Sequence, residues 1–165
     1  MENHSKHKIT ADEFSGLVQP LLGLPVARAW RGIGSAIFLE IGELTETTRQ
    51  HKDGSTVSRF QGEYTLMIEW SWRVERLRSI WFGSWNSQRE IDNRLKKLVE
   101  STIENIGVEG RLPEIVISLS NKIWVHSFMT TDGRPPCILI FNDGQSPNDS
   151  RQWIFSHRGS LYLEM

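Results

Sequence analysis

The five histidines are the residues of this chain best suited to acid/base or metal chemistry near neutral pH. His126 alternates with Trp124 and Phe128, so an extended strand would place the three side chains on one face. The other four lie near the start of the chain or in segments typical of turns: His4, His7, His51 and His157. None stands at a zinc-ligand spacing from a Cys or a carboxylate, and no His-Glu-x-x-His pattern occurs. The sequence therefore predicts no metal site and no cofactor.

Three glutamates could supply a pair of carboxylates for acid/base catalysis. Glu40, Glu63 and Glu69 each point away from the main apolar face, and pairing of their strands would bring them together. Two neighbouring carboxylates raise one pKa and can then act as acid and base. The simpler interpretation is the wet face of a half-exposed sheet. No catalytic residue is predicted, and an enzyme of unfamiliar type that uses carboxylates and His126 stays an alternative.

The single cysteine, Cys137, cannot form an internal disulfide, which is typical of a reducing compartment. It begins the apolar run 137–141, so an inert core residue is expected rather than a nucleophile. No apolar segment approaches the about 20 residues needed to cross a bilayer, and no segment of signal-peptide type follows Met1. These features predict a cytoplasmic protein without membrane association.

A loop that could bind a small anion precedes the first well-defined predicted strand. Its glycine-rich part, residues 32–35, leads into a strand and not into a helix, so it does not match a dinucleotide-binding turn. Trp30 and Arg31 stand directly before it and add an aromatic ring and a guanidinium to the free amides of the loop. A small ligand bound here, or in a pocket between sheet and helix, is one alternative function.

Aromatic and arginine side chains suggest a protein-binding surface instead. The chain contains seven Trp, and Trp81 and Trp85 flank the predicted break at Gly83 and Ser84. The alternative is that both plug the end of the sheet beneath a helix, while the other five are assigned mainly to the core: Trp30, Trp70, Trp72, Trp124 and Trp153. The candidate binding residues are Trp30, Arg31, Arg73, Arg76, Arg78, Trp81, Trp85 and Arg89.

The charge distribution limits the classes of partner. The formal net charge of −1 argues against general nucleic-acid binding, which needs a basic surface. Between residues 73 and 97, however, seven Lys or Arg stand against three acidic residues, a surplus of four positive charges. This segment indicates either a patch for an acidic partner or a solvated helix face beside an edge strand protected by charge.

Two capping boxes mark the predicted helices. Thr10 with Glu13 begins a short helix that should end near Val18, because Pro20 follows. Ser87 with Glu90 begins a long helix, 87–106, whose apolar stripe would pack on the sheet. Residues 1–9 are expected to be a disordered lead-in, and residues 10–165 a single domain.

The strongest strand signal is the stretch 64–74. Six large residues alternate along it, and one face of a strand would carry them all: Tyr64, Leu66, Ile68, Trp70, Trp72 and Val74. Further alternating segments, such as residues 37, 39 and 41 and residues 115, 117 and 119, are separated by turn signals such as Asp132-Gly133 and Asp143-Gly144. They predict an α+β fold with a largely antiparallel sheet of about seven or eight strands, curled or split into a sandwich. Residues 45–58 are either a long hairpin around Asp53-Gly54 or a mobile loop.

For function, the sequence favours a small non-enzymatic binding or regulatory protein that acts through a protein–protein surface, including self-association as a dimer. Bacterial immunity and inhibitor proteins are of this kind, although no motif of such a family is present. The Trp and Arg content and the exposed edges expected of such a sheet are the basis for this hypothesis.

Overall fold

The computed structural model describes residues 6–69, 71–130, 137–141 and 152–165. The described residues form fourteen strands and two α-helices, and three residues of 3₁₀-helix follow each α-helix. The helices are α1 Ala11–Val18 and α2 Gln88–Leu95. The strands are β1 Lys6–Ile9, β2 Val26–Arg31, β3 Ile37–Ile41, β4 Thr45–Gln50, β5 Thr56–Gln61, β6 Tyr64–Ile68, β7 Ser71–Arg76, β8 Ser79–Gly83, β9 Ile103–Glu109, β10 Glu114–Leu119, β11 Ile123–Phe128, β12 Cys137–Phe141, β13 Gln152–His157 and β14 Ser160–Glu164.

Two large sheets enclose a single core. The first has seven strands in the order β1-β14-β13-β12-β6-β3-β2, and the second has five in the order β8-β7-β11-β10-β9. Every pair of neighbouring strands in both sheets is antiparallel. Buried side chains from both sheets and both helices form one apolar cluster. The predicted antiparallel α+β class is confirmed, and of the two predicted arrangements the structure contains the split sheet.

The stretch 64–74 connects the two sheets. Its first half is β6 in the seven-stranded sheet, and its second half is β7 in the five-stranded sheet. Leu66, Ile68, Trp72 and Val74 are all buried in the shared core, as the alternation predicted. Trp70, predicted on the same face, lies outside the described residues. Because the alternation continues in step from Ile68 in β6 to Trp72 in β7, the same set of alternate residues faces the core in both sheets.

The predicted long helix 87–106 is wrong beyond Leu98. After the 3₁₀ turn Lys96–Leu98, Val99 is extended and Glu100 has a left-handed φ of 72°. The chain then pairs with the segment before β2, where the Ile103 amide donates to the Leu24 carbonyl at 2.9 Å, and it continues as β9. Pairing with a distant segment therefore overrides the apolar helical spacing of residues 103 and 106.

Both predicted capping boxes are present. The Thr10 hydroxyl accepts from the Glu13 amide at 3.1 Å, and the Ser87 hydroxyl accepts from the Glu90 amide at 3.3 Å. Hydrogen bonds from the backbone and side chain of Thr10 lower the pKa of Glu13, and those from the Ser87 side chain, Asn86 and the Ser87 amide lower the pKa of Glu90. Helix α1 ends at Val18 as predicted, and α2 packs against β2 and β8.

The structure also tests the predictions for the N-terminal segment and for residues 45–58. Lys6–Ile9 forms β1 on the edge of the seven-stranded sheet, paired with β14, so the expected disordered lead-in does not extend to Ile9; residues 1–5 lie outside the described part. Residues 45–61 form a two-stranded ribbon, β4 and β5, so the hairpin alternative holds for this segment. The predicted turns at Asp132-Gly133 and Asp143-Gly144, and the side chain of Cys137, are outside the described residues.

One core position is expected to gain stability on substitution. The Ser156 side chain is buried among apolar residues, and its hydroxyl has no hydrogen-bond partner among the described residues. Replacing Ser156 with Ala removes a buried hydroxyl whose desolvation is uncompensated, so the free energy of unfolding should rise by about 1 kcal/mol. Urea unfolding at pH 7 measures this difference.

Ser127→Ala is the matched control for Ser156→Ala. The Ser127 hydroxyl is equally buried, accepts from the Ile115 amide at 3.0 Å and donates to the Ile115 carbonyl at 3.3 Å. Its removal should lower the free energy of unfolding by about 1–2 kcal/mol. Equal losses for the two variants would show that the Ser156 hydroxyl is satisfied in solution.

Candidate interaction surfaces

The eight predicted binding residues do not form one cluster. They occupy the end of β2, the strands β7 and β8, the turn between these two strands, the turn after β8 and the first turn of α2: Trp30, Arg31, Arg73, Arg76, Arg78, Trp81, Trp85 and Arg89. Trp30, Arg31 and Arg73 are partly buried, whereas Arg76, Arg78, Trp85 and Arg89 are exposed.

Trp72 brings two loops together at one end of the molecule. Its indole N–H donates to the Ser35 carbonyl at 2.7 Å, in the loop between β2 and β3. Its own carbonyl accepts from the Ser84 amide at 3.0 Å, in the turn between β8 and α2. Residues 32–36 and residues 84–87 are therefore both hydrogen-bonded to one buried tryptophan. We call these two segments together the loop end.

The loop end carries two large apolar side chains that are almost entirely in solvent. Ile33 is 98% exposed and Trp85 is 94% exposed. Both turns are closed by hydrogen bonds, from the Gly32 amide to the Ala36 carbonyl at 2.8 Å and from the Gly83 amide to the Asn86 side chain at 2.8 Å. The two apolar groups are thus presented on hydrogen-bonded turns rather than on a long free loop.

Arg31 fixes the first of these loops to α2. Its Nε donates to Asp92 Oδ1 at 2.9 Å and its Nη2 to Asp92 Oδ2 at 3.3 Å, which is the two-point geometry of a strong guanidinium–carboxylate pair. Its Nη1 donates to the Gly32 and Gly34 carbonyls at 3.1 and 3.3 Å. A small anion would have to displace Asp92 from this guanidinium, so the contacts favour a positioning role for Arg31.

Trp81 and Trp85 have different environments. Trp81 packs partly against the core, its ring lies under the Arg76 guanidinium at 5.5 Å, and its carbonyl accepts from the Arg94 side chain. The alternative of a tryptophan beneath the helix therefore describes Trp81. It does not describe Trp85, which extends into solvent from the next turn.

A charged cluster lies on the outer face of the five-stranded sheet. Glu75 accepts from Arg73 Nε at 2.7 Å, and His126 Nε2 lies 3.5 Å from the second Glu75 oxygen. Arg73 also lies over the Phe128 ring at 5.6 Å. The carboxylate nearest to His126 is thus already paired with a guanidinium on a sheet face, an arrangement that favours a structural ion cluster over a general base.

The acidic residues of the basic segment 73–97 are all paired. Glu75 binds Arg73, Asp92 binds Arg31, and Glu90 lies 3.7 Å from Arg94. Five cations of the same segment form no ion pair with any described residue: Arg76, Arg78, Arg89, Lys96 and Lys97. The surplus of positive charge in this segment is therefore exposed to solvent.

The sequence prediction missed the outer face of the seven-stranded sheet. Trp30 stacks on Phe38 with ring centroids 4.0 Å apart, and Phe155 stacks on Tyr162 at 5.7 Å. Trp153, assigned to the core from the sequence, is 38% exposed, and Trp30 and Trp124 also lie on outer faces. The one signal in the sequence is the unbroken apolar run of β12, which is typical of a strand with apolar neighbours on both faces.

The environment of Glu40 also differs from the prediction. The prediction placed it on a wet sheet face, but its side chain belongs to the outer face and only 4% of the residue is exposed. Its carboxylate accepts from Trp30 Nε1 at 3.2 Å, the Gly62 amide at 3.1 Å and the Thr65 hydroxyl at 2.6 Å. Glu63, its proposed partner, instead accepts from the Glu43 amide at 2.9 Å.

The architecture is that of an antiparallel two-sheet α+β protein with apolar groups exposed at one end and on one sheet face. Comparison with protein-family models, with curated proteins and with solved structures finds no match for this chain. Within the described ranges no group of three or more His, Cys, Asp or Glu side chains is placed to hold a metal ion. No helix there is long and apolar enough to cross a membrane. Its function must therefore be argued from its own surfaces.

Proposed function

We propose that this protein is a binding or regulatory protein that acts on another protein through the loop end. The observation that carries the proposal is the pair Ile33 and Trp85, each more than nine-tenths in solvent, on two turns joined through Trp72. Exposed tryptophan on a fixed turn has no role in the core, and tryptophan is among the residues that contribute most to protein–protein binding.

The exposed cations of α2 and of the 3₁₀ turn that follows it support an acidic partner. Arg89 follows Trp85 by four residues and is exposed in the first turn of α2, and Lys96 and Lys97 are exposed at its other end. Opposite charge on a partner would speed association and fix its orientation, while the apolar contacts at Ile33 and Trp85 would supply most of the affinity. A cytoplasmic location fits the single cysteine of the chain and is part of this proposal.

Substitution of Trp85 should weaken binding of such a partner by about 30-fold or more, the effect of losing about 2 kcal/mol at a central aromatic contact. The test begins with capture of proteins from the source organism on immobilised wild-type protein. The captured protein is then purified, and its dissociation constants for wild type, Trp85→Ser and Ile33→Ser are measured by calorimetry. Trp85→Ser should keep the fold, because the side chain touches little of the molecule.

Phe60→Ser provides the matched control for partner binding. Phe60 is another exposed apolar side chain, in ribbon strand β5, and the ribbon joins β3 and β6 at the end of β3 opposite to residues 32–36. Its substitution should leave the dissociation constant unchanged, and added salt should weaken the wild-type complex. A partner that binds Trp85→Ser and Ile33→Ser as tightly as wild type would exclude the loop end as the binding surface.

A further inference from the structure

A strained turn holds a leucine in solvent at the opposite end of β8 from the loop end. Arg76 pairs with Ser79, so the two residues between them form a tight turn. The first of these, Leu77, has a left-handed φ of 56°, and 64% of the residue is exposed. This backbone costs free energy for a bulky side chain, whereas glycine or asparagine adopts it more readily. Because the leucine contributes little to the fold there, the turn points to a role in binding.

A second turn lies beside the first. The Leu77 amide donates to the Lys122 carbonyl at 3.3 Å, which joins the β7–β8 turn to the β10–β11 turn. Asn121 and Lys122 also have left-handed φ values, of 65° and 56°. Residues 76–80 and 121–122 are all exposed. We call these two segments together the hairpin end.

The cations of the hairpin end have no internal counter-charge. They are Arg76, Arg78 and Lys122, and none forms an ion pair with a described residue. The adjacent acid in β7, Glu75, is bound by Arg73 at 2.7 Å. Three positive charges thus surround two joined turns, in a chain whose net charge is −1. Their field favours an anionic group on a partner.

Aliphatic side chains accompany these cations. Ile80, the residue after the β7–β8 hairpin pair, is 67% exposed, and Leu77 is exposed to a similar extent. Ion pairs at a surface contribute little to affinity alone, whereas removal of an aliphatic side chain from water contributes more. The hairpin end therefore offers both the charge that orients a partner and the apolar groups that retain it.

Acidic side chains at the same end of the sheet limit the shape of the partner. Glu104 in β9 and Glu100 just before it are both exposed, and the Thr102 amide between them donates to the Ser120 hydroxyl in the β10–β11 turn at 3.0 Å. In the order β8-β7-β11-β10-β9, β9 is three strand spacings from β7, about 14 Å. A wide anionic surface such as a membrane would face these carboxylates as well as the cations. A narrow acidic segment can contact the cations alone.

We propose that the hairpin end binds a short acidic segment of another protein. Carboxylates of the segment pair with the three cations, and an aliphatic side chain between them packs against Leu77. The site is separate from the loop end, because the five residues of β8 lie between them and span about 17 Å. Binding at the hairpin end therefore does not depend on the function proposed for the loop end.

A labelled peptide that carries one Leu between two pairs of Glu is the probe, and its fluorescence anisotropy is the measurement. Wild type should bind it with a dissociation constant of about 100 µM at low salt, and about 300 mM salt should weaken binding by about 5-fold or more. Replacing both Arg76 and Arg78 with Gln should weaken binding by about 10-fold.

Leu77→Asn separates binding from folding. Asparagine adopts the left-handed backbone more readily than leucine, so the urea midpoint of this variant should not fall. Its affinity for the peptide should nevertheless drop by about 5-fold, because the aliphatic contact is lost. A stable variant with weaker binding is a result that a purely structural role of Leu77 does not give.

Matched controls lie in the turn between β9 and β10, at the other end of the same sheet. Arg111→Gln and Leu112→Ser remove an exposed cation and an exposed leucine there, and both should bind the peptide as wild type does. Trp85→Ser should also bind it normally, so the result is distinct from any test of the loop end.

Three outcomes overturn the proposal. They are no binding of the peptide by wild type, unchanged binding by the hairpin-end variants, and equal losses in the Arg111 and Leu112 controls. Wild type that binds vesicles of phosphatidylserine and phosphatidylcholine, but not the peptide, would assign the hairpin end to a lipid surface instead. Salt-dependent peptide binding that falls only in the hairpin-end variants establishes the site.

Discussion

Trp72→Ala should lower the free energy of unfolding by about 4 kcal/mol, the largest effect expected from one substitution in this chain. Only 1% of Trp72 is exposed, and its ring packs edge-on against Phe82 at 5.7 Å. Truncation leaves a cavity at the place where the chain passes from one sheet to the other. It also removes the indole donor of the Ser35 carbonyl, 2.7 Å away.

The same substitution should loosen the loop end. The loop at residues 32–36 loses its side-chain contact with Trp72, while the backbone bond from Ser84 to residue 72 can persist. Hydrogen exchange should therefore rise at residues 33–36 more than at residues 84–86. Urea unfolding and exchange measured on the same samples give the two effects together.

Trp72→Phe and Trp85→Ala are the controls for this prediction. Phe keeps much of the aromatic contact with Phe82 but cannot donate to Ser35, so it should lose about 1–3 kcal/mol and still expose residues 33–36. Trp85→Ala should change the free energy of unfolding by less than about 0.5 kcal/mol, because Trp85 is exposed. A small loss for Trp72→Ala, or loop protection equal to wild type, would show that Trp72 does not join the two loops.

Local signals in the sequence predicted most of the elements. The alternation of residues 115, 117 and 119, and of residues 37, 39 and 41, predicted strands whose inward residues are buried as expected. The capping boxes at Thr10 and Ser87 predicted where both helices begin. These signals succeed because side-chain parity and capping hydrogen bonds are decided within a few residues.

Such local signals could not predict where the second helix ends. Ile103 and Ile106 fit a helical stripe with Ile91 and Leu95, and they also fit a strand with one buried side. The strand forms because residues 100–103 hydrogen-bond to the distant segment 24–26. Sequence spacing contains no information on that contact, so the longer helix was predicted.

The candidate surfaces likewise combine features that the sequence can predict with features that it cannot. Parity shows that Trp30 shares a face with Arg28, but it cannot show which face of the sheet lies against the core. For this reason Trp30 and Trp153 were assigned to the core although both lie on the outer face. For Trp85 the sequence left two alternatives, a binding surface or a plug beneath the helix, and the structure exposes its side chain to solvent.

Glu40→Ala should lower the free energy of unfolding by about 3–4 kcal/mol, although the residue lies on the outward side of its sheet. Its carboxylate is the common acceptor for Trp30 in β2, Thr65 in β6 and the Gly62 amide at the base of the ribbon. Truncation removes the acceptor from all three donors at once and leaves a buried space beside them. The loss should therefore resemble that of a core truncation rather than that of a surface glutamate.

Glu40→Gln and Glu63→Gln divide this effect into its parts. Glutamine keeps the shape of Glu40 but offers one oxygen, so its amide N–H must face at least one donor, and a loss of about 1–2 kcal/mol is expected. Glu63 is exposed and accepts only from the Glu43 amide among the bonds described, so Glu63→Gln should cost less than about 0.5 kcal/mol. The expected order of loss in urea unfolding at pH 7 is Glu40→Ala, Glu40→Gln, Glu63→Gln. Equal and small losses for all three would mean that packing of the stacked Trp30 and Phe38 rings, and not the Glu40 hydrogen bonds, holds β2, β3 and β6 together.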